Sequence, residues 1–185
     1  GARVFATLDL MTNGRAAWNV VTSMNDGEAL NMGLAEHMEH DSRYDRADEF
    51  MEVVLGHWNS WDDDAIVLDK QSGLFAHPDK VRRLDHVGQW FRSRGPFTVP
   101  RSAQGQPVVI QAGQSGRGKR FCARWGELIF VTTHTSMEHG KQIYRELKED
   151  IARHGRDPDH VAITPSAYVV AAETKAEAED KMALI

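Results

Sequence analysis

Val108-Val109-Ile110-Gln111-Ala112-Gly113-Gln114-Ser115-Gly116-Arg117-Gly118-Lys119 is the stretch on which the fold turns. It opens on a short, β-branched apolar run, the composition of a buried strand. Glycines then stand at 113, 116 and 118. From Gly116 to Trp125, the residues Gly118, Phe121, Cys122 and Trp125 recur at helical spacing. A strand that passes through glycines into a helix is one βα unit. The free N–H groups at such a helix start, together with its dipole, favour an anion. Glycine lets the backbone come close to that anion. The plainer alternative is that the glycines only make a tight strand-to-helix turn.

Gly113 to Lys119 also fits G-x-x-x-x-G-K, but Arg120 follows where a nucleotide triphosphatase needs Ser or Thr for magnesium. No strand ending in a suitable Asp follows. The spacing therefore favours a phosphate site of another kind.

Downstream the same rhythm continues. Leu128 to Thr132 reads as a strand and Ser136 to His154 as a helix. Asp157-Pro158-Asp159 is a break. Val161 to Ala171 reads as a strand interrupted by Pro165, and Thr174-Lys175-Ala176-Glu177 as a capping box before a last helix. Upstream, Ala2 to Leu8 reads as helix, stopped by the Thr12-Asn13-Gly14-Arg15 turn. Ala16 to Thr22 reads as a strand and Ser23 to Glu28 as a loop. Ala47, Phe50, Met51, Val54, Leu55 and Trp58 form the apolar stripe of a long helix starting near Tyr44. Asp41 or Ser42 is placed to cap it, and Asp62-Asp63-Asp64 to end the helical region as a solvated terminus. Strands alternating with helices mean parallel βα units, here about four.

Residues 65–106 break the rhythm and read as an inserted lobe or long loop. Ile66-Val67-Leu68 and Leu74-Phe75 flank a hairpin turn. Arg82, Arg83, Arg92, Arg94 and Arg101 make the stretch basic, enough to hold an anionic substrate or simply to face solvent.

Composition narrows the function classes. The chain has 185 residues, with 22 Lys and Arg against 27 Asp and Glu, for a net charge of −5. An apolar share of 41% and a charged share of 26% fit a globular protein. The acidic balance argues against nucleic-acid binding. No apolar run reaches the roughly 18 residues of a membrane span. Cys122 stands alone, so a disulfide framework or multi-cysteine metal site is excluded, and a reducing cytoplasm fits. Its place beside Phe121 predicts a small core residue rather than a nucleophile. His37, His40 and Asp41 match no established zinc spacing, so no metal is expected. His57, His77, His86, His134, His139, His154 and His160 are scattered and read as structural or solvated.

Several longer words occur in a fixed order. They are Leu8-Asp9-Leu10-Met11-Thr12-Asn13-Gly14-Arg15 running into Ala16 to Ser23, and His40-Asp41-Ser42-Arg43-Tyr44-Asp45-Arg46-Ala47-Asp48-Glu49-Phe50. Arg94-Gly95-Pro96 through Pro100-Arg101-Ser102, and then Gln111-Ala112-Gly113-Gln114-Ser115, complete the set. Together they cover about residues 2–133. This pattern resembles the bacterial luciferase-like flavin-dependent monooxygenases. The subgroup is that of nitrilotriacetate monooxygenase component A, dibenzothiophene sulfone monooxygenase and long-chain alkane monooxygenase. Leu10 stands where His is common in that group, and Ala103 where Pro is common.

The resemblance implies a (β/α)8 TIM barrel, of which this α/β chain would hold about four central units. It implies FMN, used as FMNH2 from a separate NAD(P)H:flavin reductase, and O2 to oxygenate a small organic substrate. An aminopolycarboxylate is favoured if the arginines of 65–106 assist. Organosulfur, alkane or flavin breakdown is the alternative, and a non-redox phosphate-binding module a third reading. The complete protein would be a homo-oligomer. By position, Thr22, Ser23 and Met24 would lie at the flavin face, His40 and Tyr44 would contact FMN, and Gly113, Gln114, Ser115 and Gly116 would hold its phosphate. The lobe 65–106 would match an insertion that covers the active site. No catalytic acid or base is identified. A barrel needs roughly 250 residues, so the chain reads as the middle of a longer enzyme, starting and stopping within helices.

Overall fold

The computed structural model describes residues 1–132 and 136–184. In chain order its elements are helix α1 (Ala2–Met11), strand β1 (Ala17–Asn19), α2 (Asp26–Asn31) and α3 (His40–Trp58). Four short strands follow: β2 (Ile66–Asp69), β3 (Leu74–Ala76), β4 (His86–Val87) and β5 (Arg92–Ser93). The regular part resumes with β6 (Val108–Gln111), α4 (Gly116–Trp125), β7 (Leu128–Val131), α5 (Met137–Arg153), β8 (Ala162–Pro165) and α6 (Lys175–Met182).

β1, β6, β7 and β8 form one parallel sheet in that order. Spatial order therefore follows chain order. A doubly wound sheet reverses its order at a switch point, whereas a singly wound one runs on around a barrel. The expected four βα units are present and adjacent.

Two apolar clusters hold helices to sheet. Val20, Tyr44, Met51, Val54, Trp58, Val109 and Phe121 build one, and Cys122, Ala123, Ile129, Leu147, Ile151 and Val161 the other. Adjacent residues of α4 enter both: Phe121 the first, Cys122 and Ala123 the second. α4 is thus the shared wall between them. Burying a side chain such as Phe121 stabilises by roughly 1.5–3 kcal/mol before entropy is counted.

Several local expectations are corrected. β1 stops at Asn19 rather than Thr22, although Val20 N–H still donates to Ile110 O at 3.0 Å. Ser23, at φ 66°, turns the chain out of extended geometry. Part of the expected loop 23–28 is already helical in α2. α3 starts at His40, not Tyr44, and its cap is Glu39, whose carboxylate accepts from Ser42 N at 2.9 Å. The amides of Ser42 and Asp41 hold the Glu39 carboxyl below its ordinary value. β8 ends at Pro165, which has no N–H for a ladder, and residues 166–173 are irregular. His134 lies outside the described residues. The Thr174 hydroxyl does cap α6, accepting from Glu177 N at 3.3 Å.

Asp62, Asp63 and Asp64 do not end a helix. α3 stops at Trp58, and these carboxylates pair with Arg82, Arg101 and Lys80, respectively. Three of the lobe's basic groups are thereby engaged by the segment that leads into it.

Residues 65–106 do form an irregular lobe of short hairpins. The chain path fixes where the lobe begins and ends. The lobe leaves after the C-terminus of α3 and returns into the first residue of β6. Its ends therefore sit at the edge of the sheet opposite the strand C-termini. From there it climbs the flank of α3. Asp9, fully buried, ties the returning end down: it accepts from Ala16 N at 3.0 Å, from Gln104 Nε2 at 2.6 Å and from the Ser102 hydroxyl.

The hairpin of β4 and β5 is held by Glu49. This buried carboxylate accepts from Trp90 N at 2.9 Å and Phe91 N at 2.7 Å, with His86 Nε2 at 3.1 Å. Phe91 packs on Phe50, ring centres 5.5 Å apart, and under the Arg46 guanidinium. Burial would raise the Glu49 pKa, but the Trp90 amide, His86 and the Phe91 amide outweigh it and leave it lowered. The native state thus binds this proton less readily than the unfolded chain. Its stabilisation is complete above the ordinary value of 4.5 and is lost as pH falls through the lowered native value. Denaturant titrations from pH 7 to pH 3 should show Glu49→Gln flattening the acid loss of stability. Superimposable acid limbs for the two proteins would contradict the assignment.

Candidate functional site

The candidate residues gather at the strand C-terminal edge. β6 ends at Gln111, and the chain passes through Ala112, Gly113 and Gln114 to Ser115, the N-cap of α4. Ser115 Oγ accepts from Gly118 N at 2.9 Å, so the serine already satisfies one amide of the first turn. Among the described residues no acceptor is assigned to the amides of Gly116 and Arg117.

The glycines divide into two kinds. A Cβ on Gly113 would stand 2.9 Å from Gly118 Cα, and one on Gly118 would stand 3.0 Å from Gly113 Cα. That pair is required by the turn itself. The Gly118 Cβ would also meet Ser115 Oγ and Tyr44 Oη, both at 2.9 Å. Gly116 is different: a Cβ there has nothing within 4 Å. The turn does not need that glycine, and the space before it is open.

Tyr44 reaches the loop from the first turns of α3. It is buried, with its ring 5.5 Å from Phe121 and 5.1 Å from His40. His40 and Tyr44 share one helix face, as their spacing predicted. His40 Nδ1 lies 2.6 Å from Asp41 Oδ1. Thr22, Ser23 and Met24 follow β1 at the same sheet edge, with Thr22 and Ser23 half-buried and Met24 exposed. The buried Gln111 amide joins this segment to the loop, donating to Val20 O and accepting from Cys122 Sγ at 3.4 Å. Among the described residues no hydrogen bond joins Thr22, Ser23 or Met24 to the 113–116 loop.

Thr132, at the end of β7, was missed in the sequence. Its hydroxyl accepts from Gln114 Nε2 at 2.7 Å, bracing the loop from the far side. The signal was available, since strand C-termini supply barrel sites. On that side a cleft of about 370 Å³ separates the loop from α5, over Ile129, Val131 and Leu147. No group of three or more possible metal ligands occurs among the described residues. Nor is any helix long and apolar enough to cross a membrane. Cys122 is fully buried, as expected, and burial pushes its thiol up to about 11.

Two outcomes follow from this geometry. Gly118→Ala should lower stability by roughly 1–3 kcal/mol through overpacking, read by chemical denaturation; a neutral change would refute the close approach. Cys122 should resist a thiol reagent at pH 8 in the native protein and react fully in denaturant. Rapid native labelling would show the thiol to be accessible.

Comparison with known proteins bears on the family and the fold. The family model for luciferase-like monooxygenases matches residues 1–185. Dibenzothiophene-sulfone monooxygenase of Rhodococcus erythropolis is 51% identical over 98% of this chain and 40% of its own length. Nitrilotriacetate monooxygenase component A of Aminobacter aminovorans is 44% identical over 97% of this chain and 40% of its own. The crystal structure of a riboflavin lyase with modified FMN and riboflavin superposes with a TM-score of 0.90 at 39% identity. It covers 97% of this chain and 40% of that one. The chain thus spans about 40% of the length of the relatives it matches. With the family model spanning every residue and the strand order of a singly wound sheet, the chain belongs to the luciferase-like monooxygenase family.

Proposed function

We propose that this chain forms the flavin-phosphate half of a two-component, FMNH2-dependent monooxygenase. The observation that carries the reading is the open face at Gly116, with unclaimed amides of Gly116 and Arg117 at the start of a ten-residue helix. A phosphate monoester fits that cradle, its charge met by the helix dipole and its oxygens by N–H groups. Ser115 and Gln114 flank it, and the Tyr44 hydroxyl approaches from α3. His40, Thr22, Ser23 and Met24 stand at the same edge, where the rest of the flavin would extend. Bound reduced FMN supplies the electrons for O2 activation, delivered by a separate NAD(P)H:flavin reductase. The chain's own residues bind and orient it.

The substrate reading shifts from the aminopolycarboxylate. That preference rested on lobe arginines near the site. Of the five, Arg82 is bound to Asp62, Arg83 to Asp85 and Arg101 to Asp63, while Arg92 and Arg94 are exposed. The lobe's ends also lie at the opposite sheet edge. An organosulfur substrate, as the name of the 51% identical relative suggests, is therefore the better reading.

Gly116→Ala separates the flavin reading from a ligand-free turn. Alanine is favoured over glycine in a helix, so the melting temperature should hold or rise. FMN affinity of the full natural chain should fall by about tenfold, because a methyl group intrudes on the phosphate. Unchanged FMN affinity would remove the loop from the site. Binding of FMN without reductase-dependent O2 consumption on any organosulfur or aminopolycarboxylate compound would favour the non-redox module instead.

A further inference from the structure

We propose that Arg117 is a positioning residue, aiming the Tyr44 hydroxyl at the phosphate loop rather than binding the phosphate itself. The proposal rests on the flavin-phosphate reading above.

Arg117 is the second residue of α4, where a cation would ordinarily be expected to face the anion. Its guanidinium turns the other way, onto α3. Nη2 donates to Asp45 Oδ1 at 2.9 Å and to Asp48 Oδ2, and Nε donates to Asp45 Oδ1 at 3.3 Å. The side chain is only 11% exposed, so the arrangement is not a solvated surface pair. Two carboxylates claim one cation, leaving no charge free for a further anion. Asp48 also accepts from Trp125 Nε1 at 2.5 Å, which extends the clamp to the far end of α4.

The same guanidinium lies 5.6 Å from the centre of the Tyr44 ring. Phe121 and His40 pack against the ring elsewhere. With the ring fixed by these contacts, its oxygen is directed at the first turn of α4. Tyr44 Oη and Ser115 Oγ are each 2.9 Å from the position a Cβ on Gly118 would take. Two hydroxyl groups therefore converge on the turn that bears the unclaimed amides. A planar guanidinium can fork to two carboxylates and lay its flat face along an aromatic ring at the same time, whereas an ammonium is a point charge without that fork or face.

The test compares FMN with riboflavin, which lacks the phosphate, on the full natural chain. Arg117→Lys keeps the positive charge but loses the planar fork that holds Asp45 and Asp48 while facing the ring. Affinity for FMN should fall by about tenfold, and affinity for riboflavin by no more than about twofold. Adding Tyr44→Phe to Arg117→Lys should weaken FMN no further than Tyr44→Phe alone, because both act on one hydroxyl. Equal losses for both flavins, no loss for either, or additive effects in the double variant would overturn the assignment. If Arg117→Lys does not fold, Asp45→Asn loosens the clamp from its exposed side and must lower the FMN-to-riboflavin ratio; an unchanged ratio overturns it. If the unaltered protein binds FMN no more tightly than riboflavin, the phosphate-loop reading itself has failed. A preference retained in the variants alone defeats only the role of Arg117.

Discussion

The backbone of Gly113 lies against that of Gly118, close enough that a methyl group on either would collide with the other's Cα. This approach sets where α4 begins and how it lies on β6. α4 in turn is the wall shared by both apolar clusters, through Phe121 on one side and Cys122 with Ala123 on the other. The turn therefore fixes a packing arrangement and a chemical one together. It brings the helix N-terminus up to the strand ends and leaves Gly116 facing open space.

Around that turn, polar groups are spent on orientation. Ser115 caps the helix, Thr132 braces Gln114, and Gln111 reaches Val20 O from beneath. α3 carries a second set of attachments along its length. His40 and Tyr44 occupy the end near the loop, Asp45 and Asp48 take Arg117, and Glu49 grips the lobe through Trp90 and Phe91. One helix thus joins the candidate site to the inserted lobe. The lobe is a lateral buttress of that helix, and its ends lie away from the edge that carries the candidate site.

What was legible in the sequence was local or periodic. The β6–α4 unit follows from an apolar run, its glycines and a helical stripe, all within eighteen residues (108–125). The family words added His40 and Tyr44, which spacing alone could only place on one face. What escaped depended on distant partners. Arg117 finds carboxylates 69 and 72 positions away, so nothing beside it in the chain announces the pair. Asp62, Asp63 and Asp64 read as a solvated run until Arg82, Arg101 and Lys80 fold back on them. Asp41 and Ser42 are the residue types that residue preference puts at the cap, yet Glu39 takes it because its longer side chain reaches the Ser42 amide. Where the lobe's ends lie could have been read from connectivity, because a segment between a helix end and the next parallel strand must start and finish at the edge opposite the strand C-termini.

The central claim is that the first turn of α4 receives the phosphate of FMN. A crystal structure of the full natural chain with FMN bound tests it most directly. The account predicts phosphate oxygens within hydrogen-bond distance of the Gly116 and Arg117 amides, with the Arg117 guanidinium still on Asp45 and Asp48. A phosphate seated on another loop, with the space before Gly116 filled only by water, would contradict it.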